Sequence, residues 1–90
     1  MAALSVAQED LQMPTPVQVE TLIAAALPGA RIEVRDTTGT GDHFQAIVVA
    51  EQFRGKTLVE QHRMVYAPLR DLMATNEIHA LSLKTSAPEP

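Results

Sequence analysis

The first apolar pattern in the chain has the period of a helix. It begins at Thr15, where the sequence Thr-Pro-Val-Gln supplies an N-cap, a proline suited to the first helical position and a glutamine that completes a capping box. Pro28 and Gly29 follow as a stop signal. Between these signals, five apolar residues fall on one helical face: Val19, Leu22, Ile23, Ala26 and Leu27. We therefore predict an amphipathic helix that packs on a core through this face.

The next two segments have the period of a strand. Residues 31–35 alternate, so that Ile32 and Val34 face the core while charged side chains face water. A loop with two glycines follows at residues 37–42. Residues 43–50 then carry apolar side chains on both faces, which favours a central strand. The two faces are Phe44, Ala46 and Val48 on one side, and Ile47 and Val49 on the other.

A second capping box, formed by Thr57 and Glu60, opens a second helix. Pro68 is expected to break this helix at about Tyr66, and a short helix then reaches about Ala74. The stripe that faces the core contains Leu58, His62, Val65 and Leu69. Residues 78–85 form a third strand, with one side made by His79, Leu81 and Leu83.

These elements predict a single α+β domain with the order helix, strand, strand, helix, short helix, strand. The first two strands should pair antiparallel across the glycine loop, and the helical crossover favours a parallel third strand beside the central one. The result is a three-stranded mixed sheet with helices on one face. The predicted domain covers residues 15–85, between a flexible N-terminal arm (1–14) and a polar tail (86–90).

Composition and charge exclude several classes of function. The 90 residues include no cysteine, so the chain has no thiol nucleophile, redox pair or zinc ribbon. A net charge of −4 argues against a general nucleic-acid binder. Residues 1–14 contain two acidic and no basic residues and resemble neither a signal nor a transit peptide, and no apolar run has the length of a membrane span. We therefore expect a cytoplasmic protein, and no catalytic motif predicts an enzyme.

Histidines are the strongest candidates for a chemical role. His43 opens the second strand and His79 opens the third, so parallel neighbours would place both at the same end of the sheet. Adjacent strands lie about 4.8 Å apart, and both rings could reach one metal centre. The alternative is that His79, which shares a face with Leu81, is a half-buried ring with one hydrogen bond. His62, on the apolar stripe of the second helix, is interpreted as structural.

Two segments carry a resemblance to a known family. Residues 53–66, with the sequence FRGKTLVEQHRMVY, and residues 78–81, with the sequence IHAL, are similar to the signature of the BolA-like family. The resemblance extends over roughly residues 15–85. It implies the same α+β sandwich, which is related to one variety of the KH fold.

The resemblance also implies a function. BolA-like proteins are associated with monothiol glutaredoxins, with which they share a 2Fe–2S cluster. For this chain it implies a non-enzymatic partner in a heterodimer, acting in iron–sulfur trafficking or in iron and redox regulation. The implied ligands are His79, in the last strand, and His43, beside the loop before the second strand. Because the chain has no thiolate, sulfur ligands would come from the glutaredoxin and glutathione, and the isolated chain would hold no cluster.

Two other interpretations stay open. The family is also linked to transcriptional regulation through DNA binding, for which the candidate residues are Arg54, Lys56, Arg63 and Lys84. Gln61 stands where the family often has arginine, and the chain lacks the G-x-x-G loop with which KH domains clamp a nucleic-acid backbone. The remaining alternative is a stress-associated interaction module without a metal.

Overall fold

The computed structural model describes residues 14–75, 77–78 and 80–89. Except for Pro14, the predicted N-terminal arm lies outside the described residues, as does His79. The helices are α1 (Pro16–Ala26), α2 (Leu58–Tyr66) and α3 (Arg70–Ala74), and the strands are β1 (Arg31–Asp36), β2 (His43–Val49) and β3 (Ala80–Ser86). Single 3-10 turns occupy Glu51–Phe53 and Ala67–Leu69. The predicted order of elements is confirmed.

Local signals set the ends of both long helices as the sequence predicts. Thr15 and Gln18 form the capping box of α1, and Thr57 and Glu60 form that of α2. Gly29 follows α1 with a φ of 83°, a left-handed conformation that glycine adopts without strain. The helical stretch that begins at Leu58 changes to a 3-10 turn at Ala67, beside Pro68, because proline has no N–H for the next helical bond.

The sheet has the order β1-β2-β3. β1 and β2 pair antiparallel with Arg31 opposite Val49, and β2 and β3 pair parallel with His43 opposite Ala80. β2 is therefore the central strand, as its apolar residues predict. Its residues alternate between buried and half-buried, and the buried ones are Phe44, Ala46 and Val48.

One core joins the helices to a single face of the sheet. Side chains that α1, α2 and the 3-10 turn after α2 contribute include Val19, Ile23, Val65 and Leu69, each with no exposed surface. Phe53, in the 3-10 turn after β2, and Ile78, just before β3, are also buried in this core. No helix in the described ranges is long and apolar enough to cross a bilayer.

Three details differ from the sequence prediction. Leu22 was placed on the core face but is 37% exposed, because the buried stripe of α1 runs through Val19, Ile23 and Leu27 and leaves Leu22 at its margin. Leu58 is 60% exposed, since it opens α2 a full turn before the core begins. β3 starts at Ala80 rather than at Ile78, whose backbone N–H donates to Leu72 O (3.1 Å) outside the sheet.

Candidate functional site

The start of β3 meets the start of β2 at His43. Ala80 is paired with His43 in the parallel ladder, and its N–H donates to the carbonyl oxygen of Asp42 at 3.2 Å. In the sequence, His79 directly precedes Ala80. The structure confirms the strand order from which both histidines were predicted to lie at one end of the sheet. His79 itself is not among the described residues.

The side chain of Asp42 orients the imidazole of His43. Asp42 Oδ1 lies 2.8 Å from His43 Nδ1 and also accepts a hydrogen bond from the Thr40 hydroxyl. A carboxylate only accepts, so the proton of this bond is on Nδ1. In the neutral ring the lone pair is then on Nε2. A histidine that binds a metal commonly has this arrangement, with its other ring nitrogen bonded to a carboxylate.

The loop before β2 is held by a second carboxylate. Asp36 Oδ1 accepts from the N–H groups of Thr38 (3.2 Å) and Gly39 (2.8 Å), and Asp36 Oδ2 accepts from the N–H of Gly41 (2.8 Å). Gly41 is buried and has a φ of 80°, a conformation that would strain any residue with a Cβ. These bonds fix the path of the chain up to Asp42, and thereby the position of His43.

The imidazole of His43 is accessible from outside the molecule. Its side chain is 41% exposed, while that of Asp42 is 29% exposed. The site thus combines a partly exposed imidazole with a less exposed carboxylate that is bonded to it. Within the described part of the chain, no group of three or more histidine, aspartate or glutamate side chains could enclose a metal ion. Any metal held here requires further ligands.

His62 belongs to a different part of the structure. Its ring packs edge-to-face against Tyr66, with 6.5 Å between ring centroids, and its Nε2 is buried with no hydrogen-bond partner among the described residues. Gln61, the preceding residue, accepts a hydrogen bond from the Thr85 hydroxyl at 2.7 Å. Thr85 is five residues beyond Ala80, about 16 Å along the strand. The interpretation of His62 as structural agrees with this packing.

The four basic candidates do not form one surface. The guanidinium of Arg54 makes two bonds to the Glu51 carboxylate (2.7 and 2.9 Å), and these hydrogen bonds lower the pKa of Glu51 and raise that of Arg54. Lys56 and Arg63 are exposed before and within α2. Lys84 is exposed on the sheet face away from the helices, because its neighbour Thr85 points toward α2.

An open groove lies beside Arg63. Its volume is about 570 Å³, and it is lined by Arg63, Tyr66, Ala67, Arg70, Met73 and Ala74. Arg63 and Arg70 therefore place two positive charges at one groove. Arg63 was among the basic residues predicted from the sequence, and Arg70 was not.

Sequence reasoning also missed the two carboxylates that build the histidine site. Asp36 ends β1 just before the sequence Thr-Thr-Gly, a pattern typical of a turn in which an aspartate side chain bonds backbone N–H groups. Asp42 precedes His43 directly, and this adjacency was the available signal for a carboxylate–histidine pair.

The described structure thus has a mixed three-stranded sheet, helices on one face of it and a histidine oriented by a carboxylate where the parallel strands begin. The family model described as BolA-like protein matches residues 17–90. The chain belongs to the BolA-like family.

Individual relatives agree with this assignment. "Protein BOLA2" of Arabidopsis thaliana is 48% identical over 73 residues, which cover 80% of this chain and 76% of that protein. "Acid stress protein IbaG" of Escherichia coli K12 is 37% identical over 71 residues, 79% of this chain and 81% of the relative. The structure of a BolA homologue from Coxiella burnetii matches with a TM-score of 0.70 and 38% identity, over 84% of this chain and 94% of that one. The relative named "DNA-binding transcriptional regulator BolA", also from E. coli K12, is 31% identical over 75 residues, which cover 76% of this chain and 70% of the relative.

Proposed function

We propose that this chain is a non-enzymatic partner of a monothiol glutaredoxin and contributes histidine ligands to a shared 2Fe–2S cluster. The proposed ligands are His43 and His79, and the proposed role is iron–sulfur trafficking or iron and redox regulation. The observation that carries the proposal is the orientation of His43 by Asp42 beside the residue that follows His79.

The metal-binding side chains of this chain fit a cluster that is shared with a partner, and they do not fit a cluster held by this chain alone. A 2Fe–2S cluster needs four ligands, which are commonly thiolates, and histidines replace two of them in Rieske centres. This chain has three histidines and no cysteine. It can supply imidazole nitrogen, whereas the sulfur ligands must come from a partner, here the glutaredoxin cysteine and glutathione. When bound, the cluster would supply electron transfer or be passed on as cargo.

The chain's own contribution is to place the His43 imidazole at the end of the sheet where β2 and β3 begin. The Asp42 carboxylate accepts a hydrogen bond from Nδ1–H, and in that tautomer Nε2 carries the lone pair with which an imidazole binds iron. The loop bonds of Asp36 keep this geometry without the partner, which reduces the entropy lost on binding.

Mixing the purified chain with a glutaredoxin that carries a 2Fe–2S cluster and glutathione tests the proposal. We expect the visible absorption and circular dichroism of the cluster to change, because imidazole replaces a ligand of different charge on the iron. His79→Ala should remove most of the change and His43→Ala should weaken it. His62→Ala is the matched control, since this ring is packed against Tyr66 away from the site. An unchanged spectrum on addition of the folded wild-type chain would contradict the proposal.

A second candidate function is DNA binding by the side of the molecule that carries α2. It is favoured by the pair Arg63 and Arg70 at one groove and by the name of the E. coli relative. Against it, Arg54 is paired with Glu51 and Lys84 lies on the other face. We expect weak binding that is lost between low and physiological salt, because each phosphate contact releases counterions. A tight, sequence-specific complex at physiological salt would reverse the ranking of the two functions.

A further inference from the structure

Among the residues that the structure describes, no strand pairs with the outer edge of β3. The N–H of Ala80 donates to Asp42 O, and the carbonyl oxygen of Ser86 accepts from the N–H of Ala50. Residues 80 and 86 therefore point their backbone groups toward β2, as do the even-numbered residues between them. The odd-numbered residues Leu81, Leu83 and Thr85 point their N–H and C=O groups the other way. In the described part of the chain, β3 is an edge strand with no neighbour on that side.

The two edges of the sheet differ in their protection. β1, with the sequence RIEVRD, has four charged residues in six, and charged side chains discourage the addition of a further strand. β3, with the sequence ALSLKTS, has one charged residue in seven. Ala80, Ser82 and Ser86 on its open face are small, so they do not screen the edge. The β3 edge is therefore the accepting edge of this sheet.

The C-terminal segment does not cover the β3 edge. The carbonyl oxygen of Pro88 accepts a hydrogen bond from Arg54 at 2.8 Å. The hollow that residues 86–89 border also contains Arg31, from β1, and Val49, from β2. After Ser86 the described chain therefore turns over the end of the sheet toward β1 and away from the outer edge of β3.

We propose that the β3 edge is a docking site for an extended segment of a partner protein, which adds as a fourth strand. Leu81 and Leu83 are half-buried on the helix side of the edge, so the incoming strand should present apolar side chains there. Lys84 is exposed on the open side and favours an acidic residue beside it. The occupant is thus an extended peptide that alternates apolar residues with at least one carboxylate.

A second copy of this chain fits the edge less well. An antiparallel pair of β3 strands centred on Leu83 would place each Lys84 opposite the uncharged Ser82 of the other copy. Both ammonium groups would stay without a counter-charge across the new pair. An acidic strand from a partner satisfies Lys84 directly.

The test uses the full chain and a synthetic peptide of alternating valine and threonine with one central glutamate. The chain is titrated with the peptide while amide hydrogen exchange is followed by NMR. We expect slower exchange at Leu81, Leu83 and Thr85 on binding. Ser82 and Lys84 are the internal controls, because their N–H groups already point to β2 and their exchange should change little.

Exchanging the charges of Lys84 and the peptide glutamate separates a specific cross-strand pair from non-specific binding of the peptide. Lys84→Glu should weaken binding of the glutamate peptide about three- to tenfold, since an attractive cross-strand pair becomes repulsive. A peptide with lysine in place of glutamate should recover that affinity on the variant and bind the wild-type chain less well. Lys84 is exposed, so the variant is expected to fold, which its spectrum in the absence of peptide checks.

Three results would overturn the proposal. The first is a binding site whose shifts lie away from β3. The second is an affinity that does not respond to the charge exchange. The third is protection of Leu81, Leu83 and Thr85 that grows with protein concentration without peptide, which would identify a second copy as the occupant. Because no cluster is present in this experiment, its outcome is independent of the proposed glutaredoxin function.

Discussion

Two adjacent residues of α1 offer a sharp test of the core. Ile23 has no exposed surface and belongs to the buried cluster, whereas Leu22 is 37% exposed. Ile23→Ala and Leu22→Ala each remove three carbon atoms from the same helix. Helix propensity, charge and distance from the helix ends are closely matched, so burial is the main difference between the two variants.

The expected costs follow from this burial. Truncating a fully buried isoleucine or leucine to alanine removes its transfer free energy and leaves a cavity, together about 2–5 kcal/mol. At Leu22 only part of the transfer free energy is at stake and no closed cavity forms, so we expect about 1 kcal/mol. Since small domains are stable by about 5–15 kcal/mol, the Ile23 variant should lose a large fraction of its stability.

Urea denaturation followed by far-ultraviolet circular dichroism measures both costs, and suits a chain with no tryptophan. Equal slopes of free energy against urea for the two variants are required for the comparison. An equal loss of free energy at the two positions, or a larger loss at Leu22, would show that the core face of α1 is assigned wrongly.

Three further predictions concern the capping residues and the histidine site. Thr57→Ala should cost about 1 kcal/mol of unfolding free energy, because it removes the N-cap hydroxyl that accepts from Glu60 N–H, whereas Thr57→Ser should retain most of it in the same urea assay. The hydrogen bond from Thr57 N–H lowers the pKa of the Glu60 carboxyl. The stability that Glu60 contributes is therefore complete above about pH 4.3, the pKa of glutamate in the unfolded chain, and is lost as the pH falls through the lower pKa of the folded state. Glu60→Gln should remove this pH dependence of the unfolding free energy, and an unaltered acid profile would refute the role of Glu60. Asp42→Ala should shift the neutral form of the His43 ring from the Nδ1–H tautomer toward the Nε2–H tautomer, which a histidine side chain favours in water. The NMR chemical shifts of the two ring nitrogens measure this change. An unchanged tautomer would show that Asp42 does not determine it.

The parts of the fold predicted correctly are those set by local chemistry. Both capping boxes and the break at Pro68 depend on residues within one or two turns of each other, and the structure has them as the sequence indicates. Leu22 and Leu58 were misplaced because periodicity gives the direction of a side chain but not how far the neighbouring layer extends. The start of β3 was also misplaced, since the bond from Ile78 to Leu72 depends on tertiary contact.

The candidate site was predicted in part for a similar reason. Strand order alone was sufficient to place the starts of β2 and β3 together, and the register confirms this with His43 opposite Ala80. The role of Asp42 depends on the side-chain conformation of a loop, which has no periodic signal. Lys84 was grouped with Arg54 by charge, although strand alternation puts it on the other face of the sheet.

The most direct test of the proposed histidine ligation is whether nitrogen from this chain binds the iron. The chain is labelled with ¹⁵N only at histidine, combined with an unlabelled glutaredoxin carrying the cluster, and reduced for pulsed electron paramagnetic resonance. If His79 and His43 are ligands, we expect a strong ¹⁵N hyperfine coupling. His79→Ala and His43→Ala should each reduce it, and His62→Ala should leave it unchanged. A mixed complex that forms, contains the reduced cluster and shows no ¹⁵N coupling would contradict histidine ligation by this chain.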